Sequence, residues 1–239
     1  MARIDELAAL TAEIVACRAC PRLVAWREQV ADEKVARFRD ETYWGKPVPG
    51  FGDPAARILI VGLAPAAHGG NRTGRVFTGD ASGDFLFAAL HAVGLANQAV
   101  GRRADDGLEL NDAYIAAAVR CAPPANKPTP LERATCQPFL VRELTILADV
   151  RVLLALGSIA WESAFRTIAG LTGEDARPRP VFGHGAVARA GGYVVVASYH
   201  PSQQNTFTGR LSQPMLRAAL ATAVGCADQP KDNLRRIPT

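Results

Sequence analysis

No stretch of this sequence is long and apolar enough to cross a bilayer. Its longest apolar runs, such as Ile58–Ala67, fall far short of the roughly 20 residues that a spanning helix needs. The chain also lacks a secretory start: Met1-Ala-Arg-Ile-Asp-Glu6 carries Asp5 and Glu6 where a long apolar stretch should follow a basic residue. The cytoplasm is therefore the expected compartment. Gly-Lys-Ser/Thr is absent, which excludes a Walker A phosphate loop, and no glycine run has dinucleotide-fingerprint spacing, so no nucleotide cofactor is expected. Internal repeats and low-complexity stretches are absent too. Charge of one sign is scarce: 27 basic and 23 acidic residues leave a net +4, a weak pointer to a polyanionic partner in which placement matters more than total.

What the chain does have is an ordinary globular composition, 49% hydrophobic and 21% charged over 239 residues. That is enough for a sizeable core in one domain spanning the whole chain, with residues 226–239 read as a flexible tail. Five cysteines in a cytoplasmic chain argue against a disulfide framework. Cys17 and Cys20 form a C-x-x-C pair, Cys121 and Cys136 form a second pair with fourteen residues between them, and Cys226 stands alone. Two separated pairs suggest a metal or cluster site closed by tertiary folding; by spacing alone, four-cysteine zinc and an iron–sulfur cluster are both open.

Residues 3–16 carry Leu7, Leu10 and Ile14 at helical spacing and read as a short helix leading into Cys17. The segment 40–55, rich in Gly, Pro and aromatics, reads as an ordered loop. Arg57–Leu63, Tyr114–Val119, Val152–Leu156 and Tyr193–Ser198 read as buried strands, with helices opening at Asp84, between Pro130 and Leu147, after an N-cap at Ser158, and around Pro214–Val224. Pro138 is expected to kink the second of these helices or start its second half. Alternating strands and helices imply a parallel sheet covered on both faces, with the working loops beyond the strands' carboxyl ends. Three polar loops, 64–83, 120–130 and 199–211, should then converge on one crevice.

The first loop, Gly62-Leu-Ala-Pro-Ala-Ala-His-Gly-Gly-Asn-Arg-Thr-Gly-Arg-Val-Phe-Thr-Gly-Asp-Ala-Ser-Gly83, holds six glycines, two arginines and one aromatic. It reads either as a flexible surface loop or as backbone meant to approach a ligand closely. The last loop is His200-Pro-Ser-Gln-Gln-Asn-Thr-Phe-Thr-Gly-Arg210, a histidine at a strand's carboxyl end followed by a polar run. Together these two stretches resemble the uracil-DNA glycosylase superfamily, and the long form Gly-Leu-Ala-Pro-Ala-Ala-His-Gly-Gly-Asn-Arg-Thr-Gly is similar to its type-B branch, often called family five. The resemblance covers roughly residues 14–215. It implies a three-layer α/β/α sandwich with a four-stranded parallel sheet. It implies hydrolysis of the N-glycosidic bond of uracil in DNA, with a wider choice of deaminated bases in this branch, and a location close to the nucleoid in a bacterium. It also favours a 4Fe–4S cluster on Cys17, Cys20, Cys121 and Cys136, which would tie the N-terminal segment to the body. Two departures from other branches stand out. Ala64 replaces a polar or acidic residue that positions water, and Ala117 replaces an asparagine that reads the uracil edge.

Chemistry then directs attention to particular residues. Breaking the bond leaves positive charge on the sugar and negative charge on the base. Asp80 is the nearest acid with loop freedom and is assigned to the sugar and the water, its rival role being a turn or helix cap. His200 is assigned as hydrogen-bond donor to the departing base, and Asn126 as a water or base contact or else a turn former. Phe77 is expected to stack on an extruded base, or alternatively to anchor the loop in the core. Arg72, Arg75, Lys127, Ser202 and Arg210 are expected at DNA phosphates, each being otherwise a solvated surface group. The resemblance thus implies damaged DNA, single- or double-stranded, as the partner, and the protein is expected to act as a monomer. Two other readings remain: a non-catalytic iron–sulfur DNA-binding protein and a low-potential redox module. The long loops weigh against the redox module, which needs no substrate crevice. Iron and acid-labile sulfide should be found in the purified chain, and Cys226→Ala should keep the full iron content; a colourless protein holding zinc and no iron would overturn the cluster assignment.

Overall fold

The computed structural model describes residues 2–229. Helix α1 (Ala2–Ala16) leads into α2 (Pro21–Glu33), a helix that the spacing analysis did not identify. Proline at its first position suits an α2 start, because that N–H would be unpaired in any helix. A short edge strand β1 (Phe51–Gly52) precedes β2 (Ile58–Gly62). The glycine-rich loop then holds the single-turn helix α3 (Gly70–Thr73) and ends at α4 (Ala81–Ala92). Strand β3 (Ala113–Ala117), helix α5 (Pro130–Ile146), strand β4 (Val152–Leu156) and helix α6 (Ser158–Thr172) follow in alternation. The chain closes with β5 (Val187–Ala190), β6 (Tyr193–Ser198), α7 (Gln203–Phe207) and α8 (Gln213–Ala227).

The sheet order is β1-β3-β2-β4-β6-β5. Strands β3, β2, β4 and β6 pair in parallel, which is the four-stranded sheet expected. The whole sheet nevertheless has six strands, because β1 and β5 add antiparallel edges. β2 lies between β3 and β4, so the chain leaves β2 toward one side and returns to its other side. Such a switch point opens a crevice at the strands' carboxyl ends. The runs Ile58–Gly62 and Val152–Leu156 are buried at every position, as expected for strands covered on both faces.

Two apolar layers flank the sheet. One packs Leu86, Phe87 and Leu90 of α4 and Leu216 and Leu220 of α8 against Ile58, Ile60 and Leu154. The other packs Leu140 and Leu144 of α5 and Trp161 and Phe165 of α6 against Leu59, Val61 and Leu153. Three boundaries differ from expectation. The α4 helix begins after an Asp80 cap rather than at Asp84, and Gly157 rather than Ser158 caps α6. α5 runs unbroken through Pro138, started by a Thr129–Glu132 capping box. The tail expected from residue 226 is helical through Ala227, and residues 230–239 lie outside the described residues.

The most deeply placed charges are Arg120, just beyond β3, and Glu143 on α5, each 1% exposed and joined by two hydrogen bonds, one of 3.0 Å from Nη1 to Oε1. Removing one partner of such a pair strands the other charge at a cost of about 3–5 kcal/mol. Urea unfolding of Glu143→Gln should show a loss of that order, and an unchanged midpoint would mean that Arg120 finds another acceptor.

Candidate active site and cysteine pocket

Of the three loops expected to converge, those after β2 and β6 meet at Phe77 and His200, joined by Gly157 beyond β4, while the start of the 120–130 loop lines the cysteine pocket. Gly62 ends β2, and the Phe77 ring lies against it so closely that a Cβ there would stand 2.8 Å from the ring. Phe77 itself holds φ 53, a conformation that an aromatic residue rarely adopts and that only firm surroundings sustain. Part of the ring packs on the main core, which meets the anchoring alternative. Its centroid is also 5.9 Å from that of His200, with the planes tilted by 32°. Gly157, at the end of β4, leaves room for the histidine: a Cβ there would sit 3.4 Å from the His200 Cβ.

The His200 carbonyl accepts from Asn205 Nδ2 at 2.8 Å, which folds the last loop back on itself. Neither ring nitrogen of His200 has a protein partner among the described residues. Burial pushes its pKa down to about 4, so the imidazole is neutral near pH 7 and carries one N–H to donate. Asp80 caps α4, with Oδ1 accepting the Gly83 N–H at 2.9 Å, so the turn-and-cap role is met. The other oxygen, Oδ2, lies over Gly69, where a Cβ would come within 2.0 Å of it. Burial raises the Asp80 pKa above the ordinary carboxylate value, opposed by the Gly83 and Ser82 amides and reinforced by Asp84.

Other assignments divide. Asn126 is exposed in a 3₁₀ turn at Pro124–Asn126 and takes φ 56, so it does form the turn. Lys127 beside it is exposed, and its carbonyl accepts from Arg22. Ser202 caps α7 without using its hydroxyl, and Arg210 is exposed with its guanidinium 4.5 Å from the Tyr199 ring centre. Arg72 and Arg75, by contrast, turn inward, each 6% exposed. Arg72 donates to the carbonyls of His68 and Gly79 and pairs with Glu41. Arg75 donates to Thr78 Oγ1 and pairs with Asp106 at 2.8 Å. Both bind the loop's own acceptors, which corrects their expected place at phosphates. Ala117 is 2% exposed within the main core, and Ala64 packs on the cysteine side. Phe207, 80% exposed at the end of α7, is not predicted by spacing; an aromatic in an otherwise polar loop is the available signal.

Cys17, Cys20, Cys121 and Cys136 line one small apolar pocket with Leu23, Val119 and Phe139. Cys226 is elsewhere, on α8 against the main core. Arg27 of α2 donates to Cys121 Sγ at 2.9 Å and to the Cys17 carbonyl, and the Arg120 amide donates to Cys136 Sγ at 3.3 Å. Burial pushes the Cys136 thiol up to about 12 and raises that of Cys121, while Arg120 and Arg27 respectively pull the other way. The inward face of α2 carries Leu23, Val24, Arg27 and Val30, so helical spacing was the signal that would have found Arg27.

A sequence model of the uracil DNA glycosylase superfamily matches residues 49–223. The chain belongs to this superfamily. Over 209 residues it is 56% identical to the "Type-5 uracil-DNA glycosylase" of Mycobacterium tuberculosis, covering 87% of this chain and 76% of that protein. The "Type-5 uracil-DNA glycosylase" of Thermus thermophilus is 54% identical over 211 residues, covering 88% and 93%. A more distant superfamily member, the "Type-4 uracil-DNA glycosylase" of Thermotoga maritima, is 33% identical over 156 residues, 65% and 69% of the two chains. The superfamily match thus spans both loops that meet at Phe77 and His200.

The depressed His200 pKa has a direct consequence. Because the folded value lies below the ordinary 6.5, protonation favours the unfolded chain, and the ring's contribution to stability is lost as pH falls from about 6.5 through 4. An NMR titration should find the His200 imidazole neutral down to about pH 5; a midpoint near 6.5 would show an exposed, freely solvated ring.

Proposed function

We propose that this chain is a monofunctional DNA repair glycosylase that hydrolyses the N-glycosidic bond of uracil in DNA and leaves an abasic site. The observation that carries this reading is the pairing of Phe77 with an unpartnered, neutral His200 at the sheet's switch point, inside a chain of this superfamily. The base must leave the stack to be reached. Phe77 offers a face for it to stack on, a contact worth about 1–3 kcal/mol by analogy with single-strand platforms. His200 donates its N–H to the base as negative charge develops there. A neutral donor aimed at such charge is worth about 2.7–4 kcal/mol and needs no proton transfer. Asp80 supplies the anion facing the sugar and holds the attacking water with the oxygen left over from its cap. Asn126 is the second candidate for the water.

Selectivity for the base should be loose. Stacking accepts any ring, and Ala117 presents no group that could read a base edge. Hypoxanthine, xanthine and ethenocytosine are therefore proposed substrates beside uracil, in single or double strands. Lys127, Ser202 and Arg210 are proposed as phosphate contacts, Lys127 and Arg210 being exposed. No helix among the described residues is long and apolar enough to cross a membrane.

The four-cysteine pocket fits a 4Fe–4S cluster. All four cysteines line one pocket. Four cysteine thiolates are the standard ligand set of such a centre, with four-cysteine zinc the chemical alternative. Arg27 and the Arg120 amide, already aimed at sulfur, would stabilise thiolate charge. The group's contribution would be to fasten the α1–α2 segment to the loop after β3.

Single-turnover base release tests the catalytic assignment. Asp80→Ala and His200→Ala should each lose ~100-fold or more with DNA binding intact. If Asp80→Ala cleaves uracil-DNA at the parent rate, another group holds the water, and the mechanism is wrong at its centre.

A further inference from the structure

Beside the Thr78–Asp80 stretch lies a second concavity of about 880 Å³, lined by residues from three separate segments: 37–42, 72–84 and 102–105. Its wall includes Gly79, the residue before Asp80, whose N–H donates to the Gly101 carbonyl at 2.9 Å. The same loop that presents Phe77 and Asp80 to the base site thus supplies part of this cleft. The floor is an unusual stack. The Phe38 ring has the Arg37 guanidinium 4.2 Å and the Arg72 guanidinium 3.8 Å from its centre. Arg72 is committed to Glu41, His68 and Gly79, so it serves as fixed support. Arg37 is exposed and, among the described residues, stacks on the ring without an ion pair, and planar stacking of this kind presets a guanidinium without consuming its donors.

The acids of the cleft are mostly spent. Glu41 pairs with Arg72, and Asp105 pairs with Arg103 at 2.8 Å, leaving Asp84 as the remaining carboxylate. Arg37 and Arg102, both exposed, have no ion-pair partner among the described residues. Two guanidiniums without an ion pair, one preset on an aromatic ring, line an open groove that also takes in Gly79, one residue from Asp80. That is a site for phosphate. We propose that this cleft carries the sugar–phosphate backbone of the substrate DNA beyond the extruded nucleotide, with Arg37 and Arg102 at its phosphates. The assignment rests on the glycosylase reading, and it supplies the cations that Arg72 and Arg75, turned inward, do not.

The test is the salt dependence of binding to a long uracil-containing duplex. Each phosphate contact contributes about 0.9 to the log–log slope. The double variant Arg37→Ala/Arg102→Ala should bind with a slope shallower by about 1.8. Neither residue makes an internal ion pair, so the variant should fold as the parent does. The control is Arg142→Ala/Arg166→Ala, of equal net charge, on the helices that cover the opposite face of the sheet. It should leave the slope unchanged. An unchanged slope in the cleft variant, or an equal change in the control, overturns the proposal. Inorganic phosphate, added at constant ionic strength, distinguishes the other source of such an anion. If phosphate binds the parent but not the cleft variant and leaves DNA binding by the parent unchanged, the cleft belongs to a free anion, and the DNA track is wrong. Uracil excision is measured on the same duplex. A parent that excises uracil while the slope holds removes only the cleft, whereas a parent that excises nothing while the slope shifts removes only the glycosylase reading.

Discussion

The arrangement of the molecule depends on the Arg120–Glu143 pair more than on any other single contact. Two charges out of water are tolerated only when each is held well by the other and by further hydrogen bonds. The Arg120 carbonyl also accepts the Val48 N–H at 2.7 Å, which seats the 40–55 loop, and its amide reaches Cys136 Sγ. Glu143 lies two turns along α5 from Cys136. The pair therefore sets the approach of α5 to the end of β3, and with it the distance between the second pair of cysteines. Tyr114, beside the pair, has its phenol pKa raised by burial and by the Glu143 charge.

A second buried arginine repeats the theme on the other side of the thiols. Arg27 joins the Cys17 carbonyl to Cys121 Sγ, while its own carbonyl accepts from Asn71 Nδ2 at 3.1 Å. Asn71 belongs to α3, inside the glycine-rich loop. Ala64, from the same loop, packs on Val119 and the cysteines. The thiol pocket and the loop bearing Phe77 and Asp80 consequently share a wall, and no flexible linker separates them.

How far the sequence discloses this depends on the length scale of each feature. The four central strands were legible because each is a continuous apolar run, and the crevice followed from their parallel order. β1 and β5, of two and four residues, are too short for any period to be visible. The first loop misled in one respect. Six glycines suggested open backbone with its arginines in solvent, yet α3 and the carbonyls around it take up both guanidiniums. Their partners Glu41 and Asp106 lie 31 residues away in opposite directions, a separation that local pattern does not encode. Asp80 reads as either a cap or a functional acid, and the cap is what the fold shows, through one carboxylate oxygen.

The two short edge strands have a consequence of their own. A parallel sheet that simply stopped would present a row of unpaired N–H and C=O groups able to recruit the backbone of a neighbouring chain. Here the sheet ends at one side in two residues, Phe51 and Gly52, and at the other in a four-residue ribbon that carries Arg189. Each rim runs opposite to the strand beside it and offers too few ladder positions for a stranger to extend, so the apolar strands are shielded from fibrous growth by their own margins.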